Sequence, residues 1–244
     1  TSEFGYQEIS PPLIATDQTM YGTGQLPKFE NDQFEIKLED GKSRKFLIPT
    51  AEVILTNMVR ESFLKKDELP LRLVASTACF RKEAGSYGKD TKGMIRQHQF
   101  EKVELYQFVE PEKSSETLES MLETCTELCK DLGLTYRIKL LCTGDLGFCS
   151  NKTYDIEVWS PGSKEWLEVS SVSNCTDFQS RRANIKYKKS SKSKTENLHT
   201  LNGSGLALPR IIIAILESFQ NKDGHINIPE ILWPYTGFKE ITGD

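Results

Sequence analysis

The sequence predicts an α+β fold, an antiparallel sheet with helices packed against it. Three observations predict it. Segments of strand length and alternating polarity recur along the chain, bounded by Gly, Asp or Pro. Segments with apolar residues at three- and four-residue spacing are few and far apart. Strands and helices therefore do not alternate as βαβ units demand, and no internal repeat or second domain boundary interrupts the 244 residues. The whole chain, 1–244, reads as one domain.

Residues 1–14 contain Pro11-Pro12 and read as a strand cut loose from whatever precedes it. Residues 17–29 are rich in Gly and Pro and read as loop with a short helix. The stretch 34–48 alternates around Asp40-Gly41, a hairpin-turn dipeptide. Pro49-Thr50-Ala51-Glu52 leads into an amphipathic helix carrying Val53, Ile54, Met58 and Phe63, with Thr50 as its N-cap. Two strands follow, about 71–81 and 98–108. Between them, 84–96 holds Gly85, Gly88 and Gly93 with Lys89, Asp90 and Lys92, and reads as a mobile, charged hairpin loop. The clearest helix spans 114–132, where Leu118, Met121, Leu122, Cys125, Leu128 and Cys129 share a face and Gly133 closes the end. Further strands are predicted over 135–141, 154–159 and 166–173. The last helix runs over about 208–220, with its N-terminal turn at Gly203-Ser204-Gly205.

Hydrophobic residues make up 37% and charged residues 27%, the balance of a folded, soluble chain. No apolar run approaches the ~20 residues of a membrane span, and no secretory signal opens the chain. A net charge of −4 argues against a non-specific nucleic-acid binder. Lys186, Lys188, Lys189, Lys192 and Lys194 read as a solvated loop between strands. The six cysteines form no CxxC pair and no Cys/His cluster of zinc spacing, and nothing demands an oxidising compartment.

Four short segments carry the chemistry. In Phe80-Arg81-Lys82-Glu83, Arg81 and Glu83 lie two apart and would leave the same side of a strand. The guanidinium suits a phosphate in a bidentate fork, and the carboxylate suits an amine-bearing base; alone, a surface ion pair explains them equally well. In Arg96-Gln97-His98-Gln99-Phe100-Glu101-Lys102-Val103-Glu104, the residues His98, Phe100, Lys102 and Glu104 share one strand face. Phe100 would stack a base there. Glu168, Ser170 and Ser171 supply hard oxygens that suit Mg²⁺, although ordinary strand polarity accounts for them as well. Finally, Asn202-Gly203-Ser204-Gly205 precedes an apolar helix with Arg210 one to two turns in, where a buried cation requires a partner. Glycines at a helix mouth would let a ligand approach the backbone, and the helix dipole would favour an anion. Jointly these parts fit adenylation, the attack of a carboxylate on the α-phosphate of ATP with pyrophosphate leaving.

At this point the sequence resembles a known family. Phe80-Arg81-x-Glu83 looks like motif 2 of class II aminoacyl-tRNA synthetases, and Gly203 to Arg210 looks like their motif 3. Gly5-Tyr6 through Pro12 resembles the strand end of motif 1. Pro49-Thr50-Ala51-Glu52, the run from Ala84 to Phe100, and Ser173-Asn174 through Phe178-Gln179-x-Arg181-Arg182 are similar to seryl-tRNA synthetases of bacterial type.

The resemblance implies a cytoplasmic ligase that activates L-serine with ATP and Mg²⁺ and passes it to tRNA(Ser), with tRNA(Sec) as a further acceptor. Arg81 would bind the α-phosphate, Glu83 the adenine amino group and Phe100 the adenine face. Arg210 would hold the γ-phosphate and Arg96 the phosphates more generally, with Lys82, Gln97, Val169 and Ser170 in the same ATP site. Glu168 and Ser171 would ligate Mg²⁺. Thr50 and Glu52 would meet the serine amino group and Glu104 its hydroxyl, with Ala51, Arg81, Asn202 and Ser204 in the serine pocket. The family also carries an N-terminal coiled-coil arm that grips tRNA and a motif 1 helix that builds a homodimer. Neither pattern stands ahead of Thr1, so the expectation is a catalytic core without them. A synthetase-like paralogue that loads a carrier protein would be expected to show zinc ligands, and a non-catalytic one to lose Arg81, Glu83 or Arg210. All three are present.

Overall fold

The two long alternating segments pair with each other inside a seven-stranded sheet, and their pairing sets the floor of the site. In a computed structural model of the chain, residues 3–38, 43–84, 93–190 and 192–243 are described. The strands are β1 (Gln7–Glu8), β2 (Ile14–Thr16), β3 (Glu35–Ile36), β4 (Lys45–Leu47), β5 (Phe63–Leu64), β6 (Leu71–Phe80), β7 (Gln99–Val109), β8 (Tyr136–Leu140), β9 (Lys152–Ser160), β10 (Glu165–Thr176), β11 (Lys186–Tyr187), β12 (Glu196–Asn197) and β13 (His199–Ala207), followed by a terminal hairpin of β14 (Ile226–Asn227) and β15 (Glu240–Ile241). The helices are α1 (Asp17–Thr23), α2 (Glu52–Asn57), α3 (Ser114–Asp131), α4 (Phe178–Arg182), α5 (Leu208–Ser218) and a last short α6 (Trp233–Thr236).

The main sheet has the order β1-β6-β7-β13-β10-β9-β8. All its pairs are antiparallel except β1 with β6. The α+β expectation therefore holds, with one parallel edge strand. Of the described residues up to 14, only Gln7–Glu8 enters this sheet.

Alternation on β7 divides two cores. Leu105 and Val109 join Leu118, Met121, Leu122 and Cys125 of α3 in the larger one. Tyr106 and Phe108, one residue out of phase, join Ala51 and Leu55 at α2 with Ala183 and Ile185 after α4. The α3 helix follows the predicted span to within a residue, and Gly133 takes φ +69° just past its end. Cys125 and Cys129 are buried in the α3 core, as their spacing predicts.

Three predicted elements differ. The helix after Pro49 ends at Asn57, well short of Phe63. The Asn57 amide donates to the Val53 carbonyl at 2.8 Å and so satisfies a C-terminal acceptor from within. Met58 and Phe63 are each 50% exposed, and Phe63 belongs to β5. Ala51 rather than Thr50 holds the cap position, although Thr50 Oγ1 still accepts the Glu52 N–H at 3.4 Å. Gly203 and Gly205 lie within β13, not at a helix mouth. A Cβ at Gly203 would meet Met121 and Val172 at 3.3 Å, and one at Gly205 would meet Leu105 at 3.3 Å, so these glycines admit neighbours rather than a ligand. Finally, β6 ends at Phe80, and Glu83 adopts φ +53°, so strand alternation does not carry Arg81 and Glu83 to one side. The Asp40-Gly41 turn and Gly85, Gly88, Lys89, Asp90 and Lys92 of the loop lie outside the described residues.

Candidate active site

Phe100, Lys102 and Glu104 extend the Tyr106–Phe108 face of β7 into an open cavity of about 260 Å³. β13 lies alongside, with Ser204 opposite Glu104 and Asn202 opposite Tyr106. The cavity is lined by Thr50, Glu52, Arg81, Glu83, Arg96, Gln97, Phe100, Glu104, Glu168, Val169, Ser170, Ser171, Asn202, Ser204 and Arg210, which the sequence singled out. It does not bring in Ala51, which is fully buried at the start of α2, or Lys82, whose ammonium sits 6.0 Å over the Phe34 ring.

At one end three arginines converge. Arg81 donates Nε–H to the Pro49 carbonyl at 3.2 Å and lies 5.2 Å over the Phe100 ring, a cation–π contact. Its backbone N–H still pairs with His98 across the end of β6 and β7, which fixes its direction. Arg96 forms an ion pair with Glu83 at 3.0 Å. Arg210 stands in the first turn of α5, nearer the helix start than predicted, and donates to the Glu168 carbonyl at 2.6 Å. Glu168 and Ser171 face this end, and Asp155 lies opposite Ser171 on the neighbouring strand β9. Partial burial and the nearby Asp155 raise the Glu168 carboxyl above its ordinary range, while Arg210 and Arg81 oppose the rise. Its side chain is 48% exposed, so solvent blunts the effect. The Glu168 carboxylate and the Ser171 hydroxyl in one corner are hard-oxygen donors of the kind that fit Mg²⁺. Ser170 faces inward instead and donates its hydroxyl to the Ser204 carbonyl at 2.6 Å.

The other end is buried and acidic. Glu104 is ion-paired with Lys102 and accepts the Thr50 hydroxyl at 3.1 Å, while Lys102 donates to Thr50 Oγ1 at 2.8 Å. Lys102 and Glu104 thus neutralise each other on the cavity floor, with the Thr50 hydroxyl bridging them. Glu52 Oε1 accepts from Gln179 Nε2 at 2.5 Å and from Asn202 Nδ2 at 3.1 Å. Gln179 Oε1 in turn accepts the hydroxyls of Tyr106 and Thr200, each at 2.7 Å. Burial, with the nearby Cys149 and Glu104, pushes the Glu52 carboxyl up to about 8. Glu52 thus holds its proton well above the ordinary carboxylate range.

Two contributors escape sequence reasoning. Lys102 is visible on the strand face, but nothing around it points to Thr50 as a partner. Gln179 enters only through the resemblance; the signal that finds it is burial of an amide whose every bond is satisfied. The expectation of no cysteine cluster also changes. Spacing hides it, but the fold brings Cys149 and Cys175 together beside Glu52, with one ligand atom of each within 4.8 Å of the others.

The fold and the cavity define a class of protein. The chain belongs to the tRNA synthetase class II core domain family (G, H, P, S and T), which matches residues 33–219. Within that class it is similar to serine–tRNA ligase of Pelagibacter ubique, 60% identical over 231 residues, covering 95% of this chain and 55% of the relative. Among solved structures it is similar to seryl-tRNA synthetase of Pyrococcus horikoshii complexed with ATP, with a TM-score of 0.93 and 44% identity over 100% of this chain and 54% of that one. A cytoplasmic serine–tRNA ligase of Naegleria fowleri in complex with AMP gives a TM-score of 0.92 and 36% identity over 99% and 57% of the two chains. The chain spans about half the length of the curated relatives it matches.

Proposed function

We propose that this chain is the catalytic domain of a serine–tRNA ligase, activating L-serine with ATP to seryl-adenylate. In the whole protein, in the cytoplasm and as a homodimer, the seryl group passes to tRNA(Ser), with tRNA(Sec) as a further acceptor. The observation that carries the reading is the two-ended cavity, with three arginines and Phe100 at one end and a buried Glu52–Thr50–Glu104 pocket at the other. The similarity to serine–tRNA ligases and to synthetases solved with ATP and AMP supports it.

In this reading Phe100 stacks on the adenine of ATP, and Glu83 receives its amino group. Arg81, Arg96 and Arg210 neutralise phosphates, so the attacking serine carboxylate meets less negative charge at the α-phosphorus. Glu168 and Ser171 would hold Mg²⁺, which supplies charge neutralisation on the phosphates when bound. Glu52 pairs with the serine ammonium, ionising as the cation arrives. Glu104 Oε1, which takes part in neither the Thr50 bond nor the Lys102 contact, accepts the serine hydroxyl. Alanine would leave that buried oxygen without a donor, which is how a small hydroxyl substrate is told from its deoxy analogue.

Pyrophosphate exchange with each amino acid in turn tests the assignment without requiring tRNA. Serine should support exchange, with alanine and threonine far behind. Exchange with another amino acid in preference to serine would sink it.

A further inference from the structure

We propose that Cys149 and Cys175 are an oxidation-sensitive pair that closes to a disulfide beside the serine pocket and shuts it. The consequence for serine rests on the reading of Glu52 and Asn202 given above; the pair itself does not.

The two thiols touch, with the Cys175 S–H donating to Cys149 Sγ at 3.9 Å. Their surroundings differ. Cys149 is partly exposed in the segment between β8 and β9, whereas Cys175 is fully buried at the end of β10. That division suits an attacking thiol and a resolving one. The hydrogen bond from Cys175 lowers the Cys149 thiol to about 7 and raises Cys175. Burial instead pushes Cys125 and Cys129 up, to about 12 and about 11, and so makes them unreactive. Cys142 is exposed, and its thiol donates to the Asp145 carboxylate rather than to another sulfur.

The chemistry needs a hydroperoxide as oxidant. The Cys149 thiolate attacks a peroxide oxygen; an S–O bond forms, the O–O bond breaks, and hydroxide leaves. The Cys175 sulfur then attacks the Cys149 sulfur; the S–S bond forms, the S–O bond breaks, and the departing hydroxide takes the Cys175 proton as water. Both sulfurs are oxidised and both peroxide oxygens are reduced. The sulfurs must close from 3.9 Å to about 2.05 Å, a movement of less than one bond length for each with the backbone adjusting.

Closure reaches the pocket through Asn202. Its Nδ2 donates to Cys175 Sγ at 3.5 Å and to Glu52 Oε1 at 3.1 Å. Pulling Cys175 toward Cys149 removes one acceptor from the amide that orients Glu52. Arg81 and Phe100, at the other end of the cavity, stand outside these contacts.

The test uses the reduced chain, freed of metal by chelation, treated with hydrogen peroxide, alkylated and mapped by peptide mass. A Cys149–Cys175 linked peptide is expected. In pyrophosphate exchange the serine KM should rise about tenfold while the ATP KM moves less than about twofold, both reversing with dithiothreitol. Cys149→Ser should show the same constants before and after peroxide, and Cys142→Ser should behave as the parent. Absence of the linked peptide overturns the proposal, as does retention of zinc by the reduced pair with no link after its removal. A link that leaves the serine KM unchanged overturns the closure. Lack of serine exchange in the reduced protein would instead sink the proposed function, leaving a mapped disulfide standing.

Discussion

Replacing Glu52 with Gln should stabilise the unliganded protein and abolish its response to serine. Glu52 is 8% exposed, and burial holds its carboxyl at about 8 against an ordinary 4.5. The folded-state value lies above the unfolded one, so between those pH values the folded chain keeps a proton that the unfolded chain has lost. Stability therefore falls as pH rises through this window, and the loss is complete above about 8. Each tenfold change in proton affinity is worth about 1.4 kcal/mol, so the whole window corresponds to a few kcal/mol. Glutamine keeps the shape and the oxygen that accepts from Gln179 and Asn202, without a charge to desolvate. Thermal unfolding at pH 6, 7 and 8 reads the effect. The Glu52→Gln variant should gain on the parent as pH rises, by several degrees at pH 8. Added serine should raise the parent's Tm and leave the variant's unmoved. A variant less stable than the parent at pH 8, or a gap that does not change with pH, would show that Glu52 is ionised in the empty site and refute the burial argument.

Three further outcomes follow from the same contacts. Arg81→Ala should cut serine-dependent pyrophosphate exchange about a hundredfold or more, with the circular dichroism spectrum unchanged; full activity would remove Arg81 from the phosphates. Glu104→Ala should narrow the preference for serine over alanine in the same assay and, by leaving the buried Lys102 ammonium without its carboxylate, cost about 3–5 kcal/mol in urea unfolding. Unchanged discrimination would show that another group reads the hydroxyl. Gln179→Leu strands the hydroxyls of Tyr106 and Thr200 and leaves Glu52 Oε1 with Asn202 as its remaining donor. It should cost about 2–4 kcal/mol and raise the serine KM more than the ATP KM; equal effects on both would make Gln179 merely structural.

What could be read from the sequence was what lay contiguous in it. Helix α3 announced itself through Leu118, Met121, Leu122 and Cys125, because local periodicity alone decides which face is buried. The pairing of β6 and β7 was legible for the same reason, and Arg81, Phe100, Glu104 and Arg210 came with their short runs. Partners distant in the chain were not legible. Lys102 meets Thr50 across 52 positions and Gln179 meets Glu52 across 127. Nothing in either neighbourhood signals such a contact. The helix overrun to Phe63 has another cause: Met58 and Phe63 are apolar at helical spacing, yet each is half exposed, so spacing did not stand for burial. Gly203 and Gly205 look like helix punctuation in a row of letters. In space they admit the side chains of Met121, Val172 and Leu105 against β13.

The arginines of the site already have partners within the chain, and that bears on how a nucleotide is chosen. Arg81 rests on the Pro49 carbonyl, Arg96 on Glu83, and Arg210 on the Glu168 carbonyl. Each partner spares a partly buried cation the cost of standing alone. A phosphate arriving here exchanges one acceptor for another, and the gain per arginine is only the difference between them. Arg210 would give up a neutral carbonyl at 2.6 Å and a looser ion pair with the Glu168 carboxylate at 3.8 Å, so an arriving anion gains less than the full charge-assisted margin of about 1–2 kcal/mol. For Arg96 the displaced partner is itself a carboxylate, so exchanging it for a phosphate gains little. In the proposed reading, the adenine amino group adds a hydrogen bond to Glu83 that a polyphosphate without the base, or a base with no amino group at that position, does not supply. Inorganic triphosphate and GTP should therefore compete poorly with ATP in pyrophosphate exchange.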